Sequence, residues 1–121
     1  MGRRILIVDD SATMRDMLTF TLANAGFTVI EADDGDNALS ILENTTVDLI
    51  ITDINMPRVN GIELTRIVRR TSDHAFVPIL CLTTETSDEM KSEAKSAGAT
   101  GWLRKPFDPD TLVQTAIKVC L

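Results

Sequence analysis

Residues 5–10 read ILIVDD, four apolar residues followed at once by two adjacent carboxylates, Asp9 and Asp10. An unbroken run of Ile, Leu and Val is typical of a parallel strand that is covered on both faces. Two charges at the end of such a strand indicate that it opens onto a polar pocket. Because ligands of open α/β sheets bind at the carboxyl ends of the strands, we expect ILIVDD to form one edge of a functional site.

Four further apolar runs follow, and helix-patterned stretches with apolar residues at three- and four-residue spacing separate them. Strict alternation of strand and helix predicts a doubly wound α/β domain with right-handed crossovers. We therefore expect a flavodoxin-like (βα)5 fold with a parallel five-stranded sheet in the order 2-1-3-4-5. Residues 1–121 form a single domain in this prediction, without an output domain. The predicted strands are residues 5–8, 27–30, 47–51, 76–82 and 101–103.

Capping residues mark the predicted helix ends. Ser11 is expected to cap the first helix and Gly26 to end it. Asp108 is expected to cap the fifth helix, with Pro109 at the first helical position. The fourth helix, at about residues 87–97, has few apolar residues, so we expect it to be marginally packed.

The composition, 44% hydrophobic and 25% charged, is that of an ordinary globular protein. No apolar run approaches the ~20 residues of a membrane span, and no secretory signal is visible, so we expect a cytoplasmic protein without membrane insertion. The net charge of -6 and the lack of a basic cluster argue against nucleic-acid binding. We expect Cys81 to be buried and unreactive, and His74, the single histidine, to be a solvated loop residue.

Polar side chains also follow the other predicted strands. Asp53 follows the third strand, Thr83 and Thr84 follow the fourth, and Lys105 follows the fifth. In a sheet of order 2-1-3-4-5 these residues converge with the acidic pair near the switch point between the first and third strands.

Three carboxylates a few ångströms apart repel by roughly 3 kcal/mol per pair at an effective dielectric constant near 20. Either their pKa values rise or a cation joins them, and Mg²⁺ suits so few protein ligands better than Ca²⁺ does. The ammonium of Lys105 and the hydroxyl of Thr83 exceed the needs of a metal site, but they suit a transferred phosphoryl group. Asp53 is then the candidate nucleophile.

Four segments carry these residues: IVDDS, TDINMPRVNG, TTE and KPF. In their order and spacing, across essentially the whole chain, they resemble the receiver domain of two-component response regulators. Among these, the sequence is similar to the single-domain, CheY-like chemotaxis regulators.

The resemblance implies that Asp53 accepts a phosphoryl group from a sensor histidine kinase, CheA-like in the chemotaxis case, or from a phosphotransfer protein. It further implies a Mg²⁺ site that includes Asp53. Asp10 would bind the ion directly, Asp9 would hold a metal-bound water, and the backbone carbonyl of Asn55 would complete the protein ligands.

The same resemblance assigns the remaining site residues. Thr83 would close onto a phosphoryl oxygen and Lys105 would pair with it. The bond between Lys105 and Pro106 would be cis. Pro57 and Gly61 would shape the loop that carries the metal ligand.

The resemblance also implies a binding face made by the fourth helix, fifth strand and fifth helix, which responds when Thr83 moves. The aromatic switch residue of that face is here Trp102, whose bulky indole either rotates inward or packs on the surface of the two helices. Thr84 stands where a small residue is usual, and we expect it to hinder small phosphodonors. Asn55 and Glu85 leave the acyl phosphate open to water, which predicts a short-lived signal.

The sequence thus predicts a monomeric signalling module that catalyses its own phosphorylation and dephosphorylation, rather than a metabolic enzyme. Chemotaxis is the expected role, with a target such as the flagellar motor switch. The alternative is an intermediate or phosphate sink of a phosphorelay. The sequence argues against an aspartate-nucleophile phosphatase, because that class places two acids two residues apart after its first strand. Here the two acids, Asp9 and Asp10, are adjacent. The glycine-rich motifs of nucleotide-binding domains are absent.

Overall fold

The computed structural model describes residues 3–56, 58–71, 73–84 and 87–120. These residues form a parallel five-stranded sheet in the order β2-β1-β3-β4-β5, and five helices alternate with the strands, which confirms the predicted flavodoxin-like fold. The strands are β1 (Arg4–Val8), β2 (Thr28–Ala32), β3 (Leu49–Asp53), β4 (Ile79–Thr83) and β5 (Gly101–Arg104). The helices are α1 (Ala12–Asn24), α2 (Gly35–Asn44), α3 (Gly61–Arg69), α4 (Asp88–Ala97) and α5 (Pro109–Cys120).

The ILIV run lies in β1, between β2 and β3, and is fully buried. Because successive side chains of a strand point to opposite faces, Ile5 and Ile7 pack on the side of α1 and α5. Leu6 and Val8 pack on the other side, against α2 and α3. Coverage of both faces explains why the run has no polar residue, and it fixes the position of the acids that follow.

The predicted helix caps are confirmed at α1 and α5. The Ser11 side chain accepts a hydrogen bond from the Met14 N–H at 3.2 Å, and the Asp108 side chain accepts one from the Thr111 N–H at 2.9 Å. Helix α4 ends at Gly98, whose φ of 104° is left-handed. Its buried residues are few and small apart from one methionine: Met90, Ala94 and Ala97.

Three predicted strand starts are wrong, and β3 begins at Leu49 rather than at Val47. Phe27 lies before β2 and Phe76 lies in the turn before β4, where 96% of its surface is exposed. An apolar residue in the approach to a strand continues the hydrophobic run in the sequence, although its backbone has not yet joined the sheet.

Cys81 is buried as predicted, and burial raises the pKa of its thiol to about 11, which keeps it in the unreactive protonated form at neutral pH.

The prediction for His74 is also wrong, because only 2% of this residue is exposed. A turn after α3, in which the His74 N–H donates to the Thr71 carbonyl at 3.2 Å, places the imidazole in the wall of a cavity of about 290 Å³. Leu39 of α2 and Val68 of α3 line the same cavity. Neither ring nitrogen has a hydrogen-bond partner within the described ranges. Polar neighbours in the sequence do not reveal such a turn.

Arg69, at the end of α3, ties three parts of the fold together. Its Nε donates to the Gly98 carbonyl at 2.9 Å, and its Nη1 donates to the carbonyls of Ala75 at 3.2 Å and Val77 at 2.6 Å. The guanidinium therefore joins the end of α3 to the approach of β4 and to the end of α4.

Among the described residues, no helix combines the length and the apolar character that crossing a membrane requires.

We predict that Arg69→Met lowers the free energy of unfolding by about 2 to 4 kcal/mol, because three part-buried carbonyls lose a charged donor. Urea unfolding followed by circular dichroism measures this change. Arg66→Met, at an exposed position of the same helix, is the matched control and should cost less than about 0.5 kcal/mol. Equal losses in the two variants would contradict the prediction.

Candidate functional site

The predicted acids meet at the carboxyl edge of the sheet. Asp9 directly follows β1 and is fully buried, Asp10 is exposed, and Asp53 is the last residue of β3 with 5% of its surface exposed. One carboxylate oxygen from each of the three lies within 4.8 Å of the other two. Parallel pairing of β1 with β3 produces this cluster, because it aligns the ends of the two strands.

Lys105 enters this cluster from the loop after β5. Its Nζ lies 3.1 Å from Asp53 Oδ1 and 3.2 Å from Asp9 Oδ2. Its backbone N–H donates to the Thr83 carbonyl at 2.8 Å, which extends the pairing of β4 with β5 and fixes where the side chain starts. The ammonium therefore bridges two carboxylates that come from two different strands.

Burial and charge act in opposite directions on these groups. Burial raises the pKa of Asp53, the Asp9 charge adds to the rise, and the hydrogen bond and charge of Lys105 only partly offset it. Burial by itself would lower the pKa of Lys105, but the hydrogen bonds and charges of Asp53 and Asp9 raise it overall. Lys105 is thus a fixed cation, and negative charge on Asp53 is costly. The site favours an additional cation.

The two adjacent acids differ in their surroundings. Asp9 Oδ1 accepts a hydrogen bond from the Ser11 N–H at 2.9 Å and Oδ2 accepts one from Lys105, so both of its oxygens have partners. The exposed Asp10 faces solvent. Asn55 is exposed as well, and its N–H donates to Asp53 Oδ1 at 3.3 Å. This arrangement leaves Asp10 as the more accessible ligand for an ion.

The β3–α3 loop approaches Asp53 closely. A Cβ at Gly61 would collide with the carbonyl oxygen of Asp53, so only glycine fits there without movement of the backbone. Asn60 caps α3 by accepting a hydrogen bond from the Glu63 N–H at 2.9 Å. Pro57, which was predicted to shape this loop, lies outside the described residues.

Threonines stand at the end of β4 as predicted. Thr83 is buried with 1% exposed, whereas Thr84 is exposed. The peptide bond between Lys105 and Pro106 is cis, as the family resemblance implies. Glu85, which was predicted to influence phosphoryl lifetime, lies outside the described residues.

Trp102 of β5 is 37% exposed, and the ammonium of Lys91 on α4 lies 5.6 Å from the centre of its ring. This distance is within the range of a cation–π interaction. The indole thus lies on the surface against α4 in this structure, and its inward rotation stays a prediction.

Two arginines make contacts that were not predicted, one at the acidic pair and one in the β3–α3 loop. The Arg15 Nη1 donates to the backbone carbonyl of Asp9 at 2.7 Å, and the Arg58 Nη2 lies 2.7 Å from Asp34 Oδ2 and 3.4 Å from Asp36 Oδ2. Arg58 has a φ of 64°, which is uncommon for a residue with a side chain. No sequence pattern marks these contacts, because most of them join residues that are distant along the chain.

We predict that Asp53→Asn increases stability more at pH 7 than at pH 4 in the absence of divalent ions, because burial raises the pKa of Asp53. A carboxyl whose folded pKa is raised costs nothing while it is protonated in both states. The cost appears as the pH rises above the unfolded pKa and persists above the folded pKa. Urea unfolding of both proteins at several pH values measures the difference. A difference that stays constant or shrinks toward pH 7 would refute this account.

Comparisons with known proteins agree with the geometry. The family model of the response regulator receiver domain matches residues 5–117. The chemotaxis protein CheY of Pseudomonas aeruginosa is 40% identical over 117 residues, which are 96% of this chain and 94% of that protein. The structure of the Vibrio cholerae chemotaxis protein CheY4 gives a TM-score of 0.95 at 48% identity and covers 98% of this chain and 99% of that one.

A third relative holds a metal. The receiver domain of the Pseudomonas aeruginosa sensor histidine kinase PA1611 has a magnesium ion coordinated in its active site cleft. It matches with a TM-score of 0.91 at 27% identity, over 99% of this chain and 98% of that one. The chain therefore belongs to the response regulator receiver domain family and is CheY-like over nearly its whole length.

Proposed function

We propose that this protein is a phosphorylation-dependent signalling switch in which Asp53 accepts a phosphoryl group from a histidine kinase. One observation carries the proposal: the Lys105 ammonium lies 3.1 Å from Asp53 Oδ1, within a cluster of three carboxylates. An acceptor carboxylate beside a fixed cation and a set of oxygens that suits a hard metal ion is the arrangement that phosphoryl transfer needs.

Magnesium fits the donor set of this cluster. Carboxylates from Asp9, Asp10 and Asp53 lie within 4.8 Å of one another, and the exposure of Asp10 leaves room for water on the ion. Because both oxygens of Asp9 already have partners, Asp10 and Asp53 are the direct carboxylate ligands in this proposal, with the Asn55 carbonyl as the third. When bound, Mg²⁺ supplies positive charge that offsets the charge of the incoming phosphoryl group.

The residues of the chain have separate roles in the transfer. A carboxylate oxygen of Asp53 forms a bond to phosphorus while the phosphorus–nitrogen bond of the donor phosphohistidine breaks, and the electron pair of that bond stays on the imidazole. Lys105 binds a phosphoryl oxygen through its ammonium. The hydroxyl of Thr83 donates a hydrogen bond to another, and Asp9 retains Lys105 in the site.

Phosphorylation changes what these residues can bind. An acyl phosphate carries more negative charge than the carboxylate it replaces, so Lys105 and Thr83 gain a new partner and bias an existing equilibrium between two conformations. The face made by α4, β5 and α5 responds to this shift and binds the partner. Trp102 lies on this face, against Lys91, and reports the change.

Chemotaxis is the role that the relatives favour, since CheY proteins match nearly the whole chain. In this role the protein is a cytoplasmic monomer that receives its phosphoryl group from a CheA-like kinase and binds a target such as the flagellar motor switch. No observation on the structure favours a phosphorelay intermediate or a phosphate sink over this role.

Incubation with acetyl phosphate and Mg²⁺ tests the chemistry. We expect the intact mass to increase by one phosphoryl group and the fluorescence of Trp102 to change, because the site supplies the acceptor and the charge. Asp53→Asn is the control and should show neither effect. Absence of a mass increase in the wild type would overturn the proposal, whereas a mass increase without a fluorescence change would exclude Trp102 as the reporter.

We also predict that Thr84→Ala speeds phosphorylation by acetyl phosphate about fivefold, because the exposed threonine that follows β4 obstructs a small donor. A barrier lowered by ~1 kcal/mol gives a change of that size. Thr84→Ser, which retains the hydroxyl but lacks the methyl group, separates bulk from hydrogen bonding. Quench-flow mass spectrometry measures the rates. Equal rates for wild type and Thr84→Ala would rule the obstruction out.

A further inference from the structure

Arg15, in the first turn of α1, is held at both sides of its guanidinium. Its Nη1 donates to the Asp9 carbonyl at 2.7 Å, and its Nε lies 3.3 Å from Glu31 Oε1. Glu31 belongs to β2, and its Oε2 accepts a hydrogen bond from the Thr19 hydroxyl at 3.0 Å. The Arg15 side chain is only 20% exposed. Glu31 of β2, itself held by Thr19 of α1, therefore fixes the guanidinium against the Asp9 carbonyl.

The carbonyl that Arg15 contacts belongs to the peptide that joins Asp9 to Asp10. A peptide unit is planar, so a hydrogen bond that fixes its carbonyl also fixes the direction in which the next residue leaves. The Asp9 side of this unit is held independently, because the Asp9 N–H donates to the Ala32 carbonyl at 3.1 Å. On the far side of Asp10, the Ser11 N–H donates to Asp9 Oδ1 at 2.9 Å. The Asp10 side chain is exposed, so the backbone on its two sides sets the direction in which it leaves, and the Asp9–Asp10 peptide is the side that Arg15 contacts.

We propose that Arg15 is a positioning residue for the metal site, which holds the Asp9–Asp10 peptide so that the Asp10 carboxylate stays with the other two. This inference rests on the proposed function, in which Asp10 binds Mg²⁺. The planar guanidinium donates to the Asp9 carbonyl through Nη1 and pairs with Glu31 through Nε at the same time. A lysine ammonium is a point charge without that planar fork, so it does not replace arginine here.

Charge by itself predicts the opposite result. A cation beside the acids repels Mg²⁺, so its removal by Arg15→Gln would tighten Mg²⁺ binding, and Arg15→Lys would leave it unchanged. Positioning predicts that both variants bind Mg²⁺ more weakly. Loss of an outer partner of a metal ligand typically weakens binding by 10-fold or more, and we expect about 10-fold because Arg15 acts through the backbone.

Calorimetric titration of Mg²⁺ into wild type, Arg15→Gln and Arg15→Lys tests the inference. Arg58→Gln is the matched control, because it removes a cation that pairs with Asp34 and Asp36 and does not contact the Asp9–Asp10 peptide. We expect the two Arg15 variants to lose affinity and Arg58→Gln to retain it within about twofold. Glu31→Gln, which weakens the contact with Arg15 Nε by removing its charge but retains an acceptor oxygen, should fall between wild type and Arg15→Gln.

A second measurement uses the metal-free protein. The backbone amide signal of Asp10 in a ¹H–¹⁵N NMR spectrum should shift in Arg15→Gln and stay near its wild-type position in Arg58→Gln. Wild-type or tighter Mg²⁺ binding by Arg15→Gln would overturn the positioning role, as would an unshifted Asp10 amide. Failure of the wild type to bind Mg²⁺ would instead count against the proposed function itself.

Discussion

The contact of the Lys105 ammonium with Asp53 and Asp9 is the interaction on which the site depends. It places one cation 3.1 Å and 3.2 Å from two buried carboxylates that would otherwise repel each other. The pKa of Asp53 is still raised, because burial outweighs the help from Lys105. The acidic site of the folded protein therefore still favours additional positive charge. In the function that we propose, a metal ion supplies this charge and a phosphoryl group on Asp53 changes the charge balance, which makes the site responsive.

The sheet makes this contact possible. Asp9 and Asp53 leave neighbouring strands at the same edge because β1 and β3 are parallel and buried on both faces. Lys105 reaches them from β5, two strands away from β3, and its backbone hydrogen bond to Thr83 couples the site to the end of β4. The same strand β5 carries Trp102 on the outer surface. Lys105 and β5 thus connect Asp53 to the surface that carries Trp102.

Much of this could be predicted from the sequence. Unbroken apolar runs predicted buried parallel strands, and the rule that ligands bind at strand ends located Asp9, Asp10, Asp53 and Lys105 in one place. The wrong predictions fell at residues whose polarity does not match their burial. Phe76 extends an apolar run but lies in an exposed turn, and His74 stands among polar residues but is buried. Both lie between α3 and β4, where turn geometry decides burial.

The sequence by itself determined the fold class, the strand order and the identity of the acids, because hydrophobic periodicity and the chemistry at strand ends are local properties. Only the tertiary structure decided how the two adjacent acids differ. Asp9 is buried with both oxygens bound, and Asp10 is exposed. One Asp9 oxygen binds the nearby Ser11 N–H, but the other binds Lys105, which follows β5. Glu31 of β2 pairs with Arg15, which contacts the peptide between the two acids. Such contacts depend on the close packing of distant segments, which no local pattern encodes.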